Sequence, residues 1–232
     1  MVKTMSVSIP DILFRPDTFF KNVMTEDESL KEPAMIIIAS MIVASVLGYV
    51  MGAPYSKMMS GMLPSEMAAF SAIISIVGIV FGVVLMTALL WVILAGIFYV
   101  LSGFFNGKGS FRRCLQVTGY GYLPTIFGSL ISLVIAIEYI PRVVVPTISA
   151  NTITQNPQAF NDALQVLMHD PAMLELTQIT SLVAIVFLLW SANIWIFGIK
   201  HARQLSPRDA ALCIGTPVVL YVLYVIYNLG AL

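Results

Sequence analysis

Few side chains in this sequence could do chemistry in an apolar setting: Arg112, Arg113, Glu138, Arg142 and Asn193. Glu138 closes a long apolar run beside Tyr139 and Arg142. An ionisable group at such a depth is costly. It reads either as a gate or ion site, or as an interfacial carboxylate that is solvated or paired with Arg142. Asn193, between Trp190 and Trp195, is the most polar side chain well inside an apolar run. A carboxamide there suits an interhelical hydrogen-bonded strut or a ligand contact. Arg112 and Arg113 stand at the mouth of the Glu138 run, where arginines anchor a helix at the phosphate level of a bilayer. Backbone chemistry is the other resource. Gly119, Tyr120, Gly121, Tyr122 and Pro124 crowd the first turns of that run, and Pro124 cannot donate to the Tyr120 carbonyl. The helix is therefore expected to kink or open where it enters the membrane. Gly215 and Pro217 form a second such place.

The parts for catalysis are missing. No Ser-His or Asp-Asp arrangement and no HExxH occurs, and Walker and GxGxxG patterns are absent. The chain has only two histidines, His169 and His201, both in predicted loops, and two cysteines, Cys114 and Cys213, with no metal-site spacing. Both cysteines map near the cytoplasmic face, where small apolar filler or lipidation is expected rather than a disulfide. No enzyme activity, cofactor or metal is expected. Twelve basic residues balance twelve acidic ones, so nucleic-acid binding has no electrostatic footprint.

The elements that hold these residues are apolar helices. Hydrophobic residues make up 59% of the chain and charged residues 10%, against about 25% charge in a soluble domain. Mean hydropathy is +0.91. The reading is all-α: a polytopic bundle of five transmembrane helices, with spans near 34–51, 68–102, 114–137, 176–199 and 210–229 in a single domain over 34–232. Residues 1–33 are polar, lack a signal-peptide core, and form a cytoplasmic segment. Within that segment, Pro16–Met24 starts an amphipathic helix carrying Phe19, Phe20, Val23 and Met24. This helix either lies on the membrane surface or packs under the bundle's own loops. Ser40, Ala44, Gly48 and Gly52 make a stripe of small residues on the first span, and Gly78 and Gly82 offer close approach on the second. The second span is read as one long helix. Residues 53–67 are read as a loop, leaving Pro124 and Pro217 as the intramembrane prolines. The long external loop, 141–175, holds helix starts at Asn156-Pro157 and Asp170-Pro171, the first opening one short helix and the second the fourth span.

Lysines and arginines fix an expected orientation. Counted by segment from the N-terminal tail they run 4, 1, 3, 1, 3 and 0, which uses all twelve. The alternation places the N-terminus in the cytoplasm and the C-terminus outside a cell membrane. The basic loops attract anionic headgroups, so membrane lipids are expected partners. Ser110, Arg112 and Gly119 also match Ser206, Arg208 and Gly215 at a constant offset, each set followed by a proline. The two hairpins are thus candidates for a parallel repeat.

Several short patterns together resemble the Yip family (Ypt-interacting-protein domain). They are Arg15-Pro-Asp-Thr-Phe-Phe20, the loop Phe104-Phe-Asn-Gly-Lys-Gly-Ser-Phe-Arg-Arg113, Tyr120-Gly-Tyr-Leu-Pro124, and Trp190 with Gly198-Ile-Lys-His201 and Leu205-Ser206. The likeness covers residues 12 to 230. For eukaryotic relatives it implies vesicle traffic, with Rab-type GTPases and other Yip proteins as partners. Those relatives carry a longer cytosolic region with an Asp-Leu-x-Gly-Pro-like motif. This chain lacks that motif and resembles the short prokaryotic branch, so Rab binding does not carry over. The resemblance brings no catalytic residues. Two functions remain open. One is a non-enzymatic membrane-organising or adaptor protein acting through helix packing, self-association or related membrane proteins. The other is a permease or channel for a small molecule or lipid, lined by the two proline breaks.

Overall fold

The computed structural model describes residues 8–63 and 67–230, and every regular element among them is helical. Two short helices, α1 (Ile9–Phe14) and α2 (Pro16–Val23), precede the long ones. The long helices are α3 (Lys31–Ser60), α4 (Ala68–Phe104), the broken pair α5 (Phe111–Gly121) and α6 (Leu123–Tyr139), then α9 (Pro171–Ala202) and α10 (Pro207–Gly230). Between α6 and α9 lie a 3₁₀ turn (Ile140–Arg142), α7 (Ala150–Gln155) and α8 (Ala159–Met168). Five stretches are long and apolar enough to cross a membrane: α3, α4 from Ile73, α5 with α6, α9 and α10. In lipid a backbone must satisfy its own polar groups, and helices do so within one segment. The chain is a multi-pass membrane protein.

Local chemistry sets the helix starts. Ser110 and Ser206 each accept a hydrogen bond from the amide three residues on, at 3.1 Å in both cases. They cap α5 and α10 alike. Asp170 caps α9 by accepting from the amides of Ala172 and Met173. Asn156 accepts from the Gln158 amide just ahead of α8. The external loop therefore holds two short helices, α7 and α8, where one was expected.

Other boundaries also depart from the sequence reading. α3 continues to Ser60 and carries Pro54 inside it, buried. Residues 53–60 are thus helix rather than loop, and Pro54 joins the list of prolines within a candidate span. A helical ladder bypasses a missing N–H where neighbouring helices cover the site. α4 is one helix, as read. Pro217 lies within an uninterrupted α10, so the second helix break is absent.

Packing is tight at one end and along two seams. Cβ atoms built on Gly48 and Gly52 would reach Ile79 at 3.4 and 3.0 Å, so the small-residue stripe of α3 seats α4. Gly128 receives Phe187 and joins α6 to α9. Gly78 and Gly82 have nothing within 4 Å, so they give no close approach inside this chain. The main core gathers where the α4–α5 and α9–α10 hairpins turn, hereafter the hairpin end. It includes Ile12, Phe20, Phe98, Val117, Tyr120, Trp195, Ile199 and Ile214. A smaller core under the α7–α8 loop joins Met58, Val143, Ile148, Leu167 and Met173.

Candidate functional site

The site is built around α5, whose residues from Gln116 to Gly121 are all buried. α5 stops at Gly121, Tyr122 forms a turn, and α6 resumes at Leu123 with Pro124 in its first turn. A first-turn proline sacrifices no helical hydrogen bond, so Pro124 marks the restart and does not strain an interior. The Tyr122 amide bonds to the Gly119 carbonyl at 3.2 Å rather than to Thr118. The Thr118 carbonyl receives the Trp195 indole N–H instead, at 3.0 Å. Trp91 donates likewise to the Leu115 carbonyl at 2.9 Å. Trp195 of the flanking α9 thus meets the carbonyl that the break leaves without its amide donor, while Trp91 of α4 adds a second tie to α5.

The glycines make this approach possible. A Cβ on Gly121 would lie 1.9 Å from Trp195 Nε1, and one on Gly119 2.5 Å from Pro33 Cβ. Gly198 is equally constrained, 2.2 Å from Val117 Cγ1. Gly215, the repeat counterpart of Gly119, has nothing within 4 Å. The hairpins therefore share their capping chemistry but not their packing.

α5 also holds the N-terminal segment. The buried Tyr120 donates to Glu32 Oε2 at 2.6 Å. Its ring meets Phe19 and Phe20 edge-on, with centroids 5.1 and 6.0 Å away. Arg113 is expected at the phosphate level, yet its side chain is only 12% exposed. It donates to the carbonyls of Val23, Met24 and Glu26 and to Gln116 Oε1, and pairs with Glu28. Arg112 donates to the Glu28 carbonyl. A guanidinium fork satisfies several acceptors at once, and here the docked chain supplies them. The apolar face of α2 is accordingly covered by α5 and α9, which is the bundle-packed alternative for that helix.

Asp17 completes the docking. It accepts from Lys200 Nζ and His201 Nε2, both at 2.7 Å. These two bonds, Lys200's first, hold its carboxyl below the usual carboxylate range. A lowered folded pKa adds stability above the ordinary carboxylate pKa and loses it as pH falls through the lowered value. Acidification through that window should therefore loosen α1 and α2. Trp190 reports it, since its indole bonds the Leu13 carbonyl. Its fluorescence should show an acid step that Asp17→Asn removes; an unchanged step in that variant would refute the assignment.

The remaining expected residues scatter. Glu138 pairs with Arg142 on the surface, 67% and 54% exposed, at the end opposite the hairpins. Asn193 faces outward on α9 and is no strut within the chain, because the buried side of α9 is taken by Ser191, Ala192, Ile194 and Trp195. The sequence reading missed Arg203, 4% exposed. It donates to Ser102 Oγ at 2.8 Å and to the carbonyls of Gly107 and Gly109, and lies 4.3 Å over the Tyr99 ring. It staples one hairpin loop to the other. The glycine pair at 107 and 109 was the signal, since a Cβ at Gly109, where φ is +120°, would strike the Ala202 carbonyl at 2.3 Å.

Tyr122 and Thr125 of the broken helix do meet Pro217, Val218 and Tyr221 of α10 at a cavity of about 390 Å³. Leu90, Leu94, Ile97, Phe98, Leu188 and Trp195 complete its lining, which is mainly aliphatic and aromatic. A polar solute would find few partners there, and the permease reading is not favoured. Among the described residues no cluster of His, Cys, Asp and Glu could hold a metal.

An uncharacterized protein of Methanocaldococcus jannaschii is 34% identical over 130 residues, which are 56% of this chain and 89% of that protein. No solved structure matches. A family model described as the Yip1 domain matches residues 11–229, from α1 with its docking segment through the helix break to the end of α10, and the chain belongs to the Yip1 domain family of membrane proteins.

Proposed function

We propose that this Yip1-domain protein is a non-enzymatic membrane organiser or adaptor that works through helix packing and self-association. One observation carries the reading. Arg113, Tyr120, Asp17, Lys200 and Arg203 of the hairpin end bond to partners within the chain, while large apolar faces are left uncovered in its spans. On α4 the exposed side chains include Ile73, Val77, Phe81, Leu85 and Ile93, and on α10 Val219, Leu220, Leu223, Tyr224 and Tyr227. Such faces are solvated by lipid or by other membrane helices, including related membrane proteins. Gly119, Tyr120, Gly121, Tyr122, Arg112 and Arg113 then serve as the frame that locks the N-terminal segment to the bundle. The test is mass measurement of the detergent-solubilised chain beside solute flux in proteoliposomes. Association without flux supports the proposal; flux from a monomer would overturn it.

The hairpin end is proposed to face the cytoplasm with lipid headgroups around it, since Lys108, Arg112, Arg113, Lys200, Arg203 and Arg208 all lie there. Single cysteines at Lys108 and Arg208 should react with an impermeant thiol reagent only after the cells are opened. Cysteines at Asn156 and Asn228 should react in intact cells. Labelling in the reverse pattern would invert the topology.

A further inference from the structure

Between Leu182 and Asn193, α9 turns one face away from the rest of the chain. Leu182, Val186 and Leu189 are 57%, 60% and 51% exposed on it, and Asn193, also exposed, extends the series. Spacings of four, three and four keep all four side chains on one side of a helix. Along α9, Glu175 precedes this face and interacts with Tyr139 of α6, and Lys200 follows it and bonds Asp17 of α2. The rise between those two charges is about 38 Å, a little more than the ~30 Å hydrocarbon layer. Asn193 sits about 10 Å inward of Lys200 along the axis, inside the apolar stretch.

Its carboxamide makes no hydrogen bond among the described residues. Asn228, exposed on α10, instead folds back to donate to the Tyr224 carbonyl at 2.7 Å. An amide with both donor and acceptor unmet in hydrocarbon is costly, and lipid tails offer it nothing. We propose that this face of α9 is where two copies of the chain associate, with their Asn193 carboxamides paired across the seam. The proposal rests on the self-association reading above and names the surface.

A second copy is the occupant for a geometric reason. All copies of one chain insert with the same orientation, so a two-fold axis along the membrane normal sets α9 parallel to its copy. Equivalent residues then lie at equal depth, and Asn193 meets Asn193. A carboxamide both donates and accepts, so it is complementary to itself, as an isologous contact requires. One polar residue in an apolar seam also fixes register. The outward face of α4 is longer, but its mid-span side chains are apolar and do not distinguish a second copy from lipid, and on α10 the exposed Thr216 hydroxyl is met within its own helix by the Leu212 carbonyl.

The experiment uses the full chain in phosphatidylcholine vesicles, with oxidative crosslinking of single introduced cysteines. Cys114 and Cys213 are buried and do not compete. Leu189→Cys should crosslink between copies, whereas Val77→Cys on α4 and Leu223→Cys on α10 should not. Adding Asn193→Leu to Leu189→Cys should weaken association about tenfold, the scale of interhelical polar contacts in membranes, and Asn193→Gln should retain part of it. Crosslinking from Val77→Cys or Leu223→Cys with none from Leu189→Cys would overturn this face and leave self-association standing. No crosslink at any position, with a monomeric mass, would overturn both. Full crosslinking that survives Asn193→Leu would remove the amide pair.

Discussion

Gly121→Ala is expected to disrupt the hairpin end strongly. The added carbon would fall 1.9 Å from Trp195 Nε1 and 2.2 Å from its Cδ1, so the indole has to move. It cannot move freely. Trp195 is 3% exposed and packs against Phe98 at a centroid distance of 5.5 Å and Tyr122 at 6.2 Å. Displacing it also breaks its bond to the Thr118 carbonyl, which the interrupted helix leaves without its usual donor. Overpacking of this kind costs about 1–3 kcal/mol, and an orphaned buried carbonyl adds about 1–3 kcal/mol. A loss of roughly 2–6 kcal/mol follows from those two terms together. Gly215→Ala is the matched control, since nothing lies within 4 Å of that position. In a helix interior, alanine is favoured over glycine by about 1 kcal/mol, so that variant should melt no lower than the parent. Thermal melts of the two in the same detergent check the pair. Equal melting would mean that Trp195 does not seat against Gly121.

Arg203→Ala should rank beside it. The guanidinium is buried and serves Ser102, Gly107 and Gly109, with Tyr99 beneath it. Truncation leaves two loop carbonyls without their donor and removes the contact between the hairpins. Hydrogen bonds to a charged group contribute about 1.5–3 kcal/mol each, offset by relief of the arginine's own desolvation. A net loss of roughly 3 kcal/mol is expected from these terms. Arg203→Lys keeps the charge but cannot fork across three acceptors, so it should recover only part of the loss. Limited proteolysis of the loop at residues 105–110 separates this from a general effect. Cleavage there should rise in Arg203→Ala before the rest of the chain unfolds, and an unchanged pattern would deny the staple.

How far residues announce such roles depends on the range of the interaction. The five apolar stretches and the single long α4 were legible because a hydrocarbon solvent admits one backbone solution, and composition reports that solvent directly. The cap at Asp170 was legible because its partners lie two and three residues away. The break near Pro124 was visible for the same reason, although the proline proves to begin α6 rather than to distort it. Pro54 was misread because whether a helix runs through a proline depends on the neighbours that cover it.

What the tertiary structure alone decided are facings and distant partners. Gly119 and Gly215 stand at equivalent positions of two similar hairpins, yet one touches Pro33 and the other touches nothing. Gly78 and Gly82 carry the same spacing as Gly48 and Gly52 and look the other way. Asn193 is flanked by two tryptophans in sequence, but one helical step turns it from the core to the outside. Arg113 and Arg203 counted equally toward orientation, while partners such as Glu26 and Ser102 lie 87 and 101 positions away along the chain. A membrane helix shows lipid and protein nearly the same apolar surface, so its sequence specifies that it crosses the bilayer without specifying which side meets its neighbours. Only the assembled bundle, by placing Trp195 over Gly121 and leaving Asn193 bare, assigns each face its role.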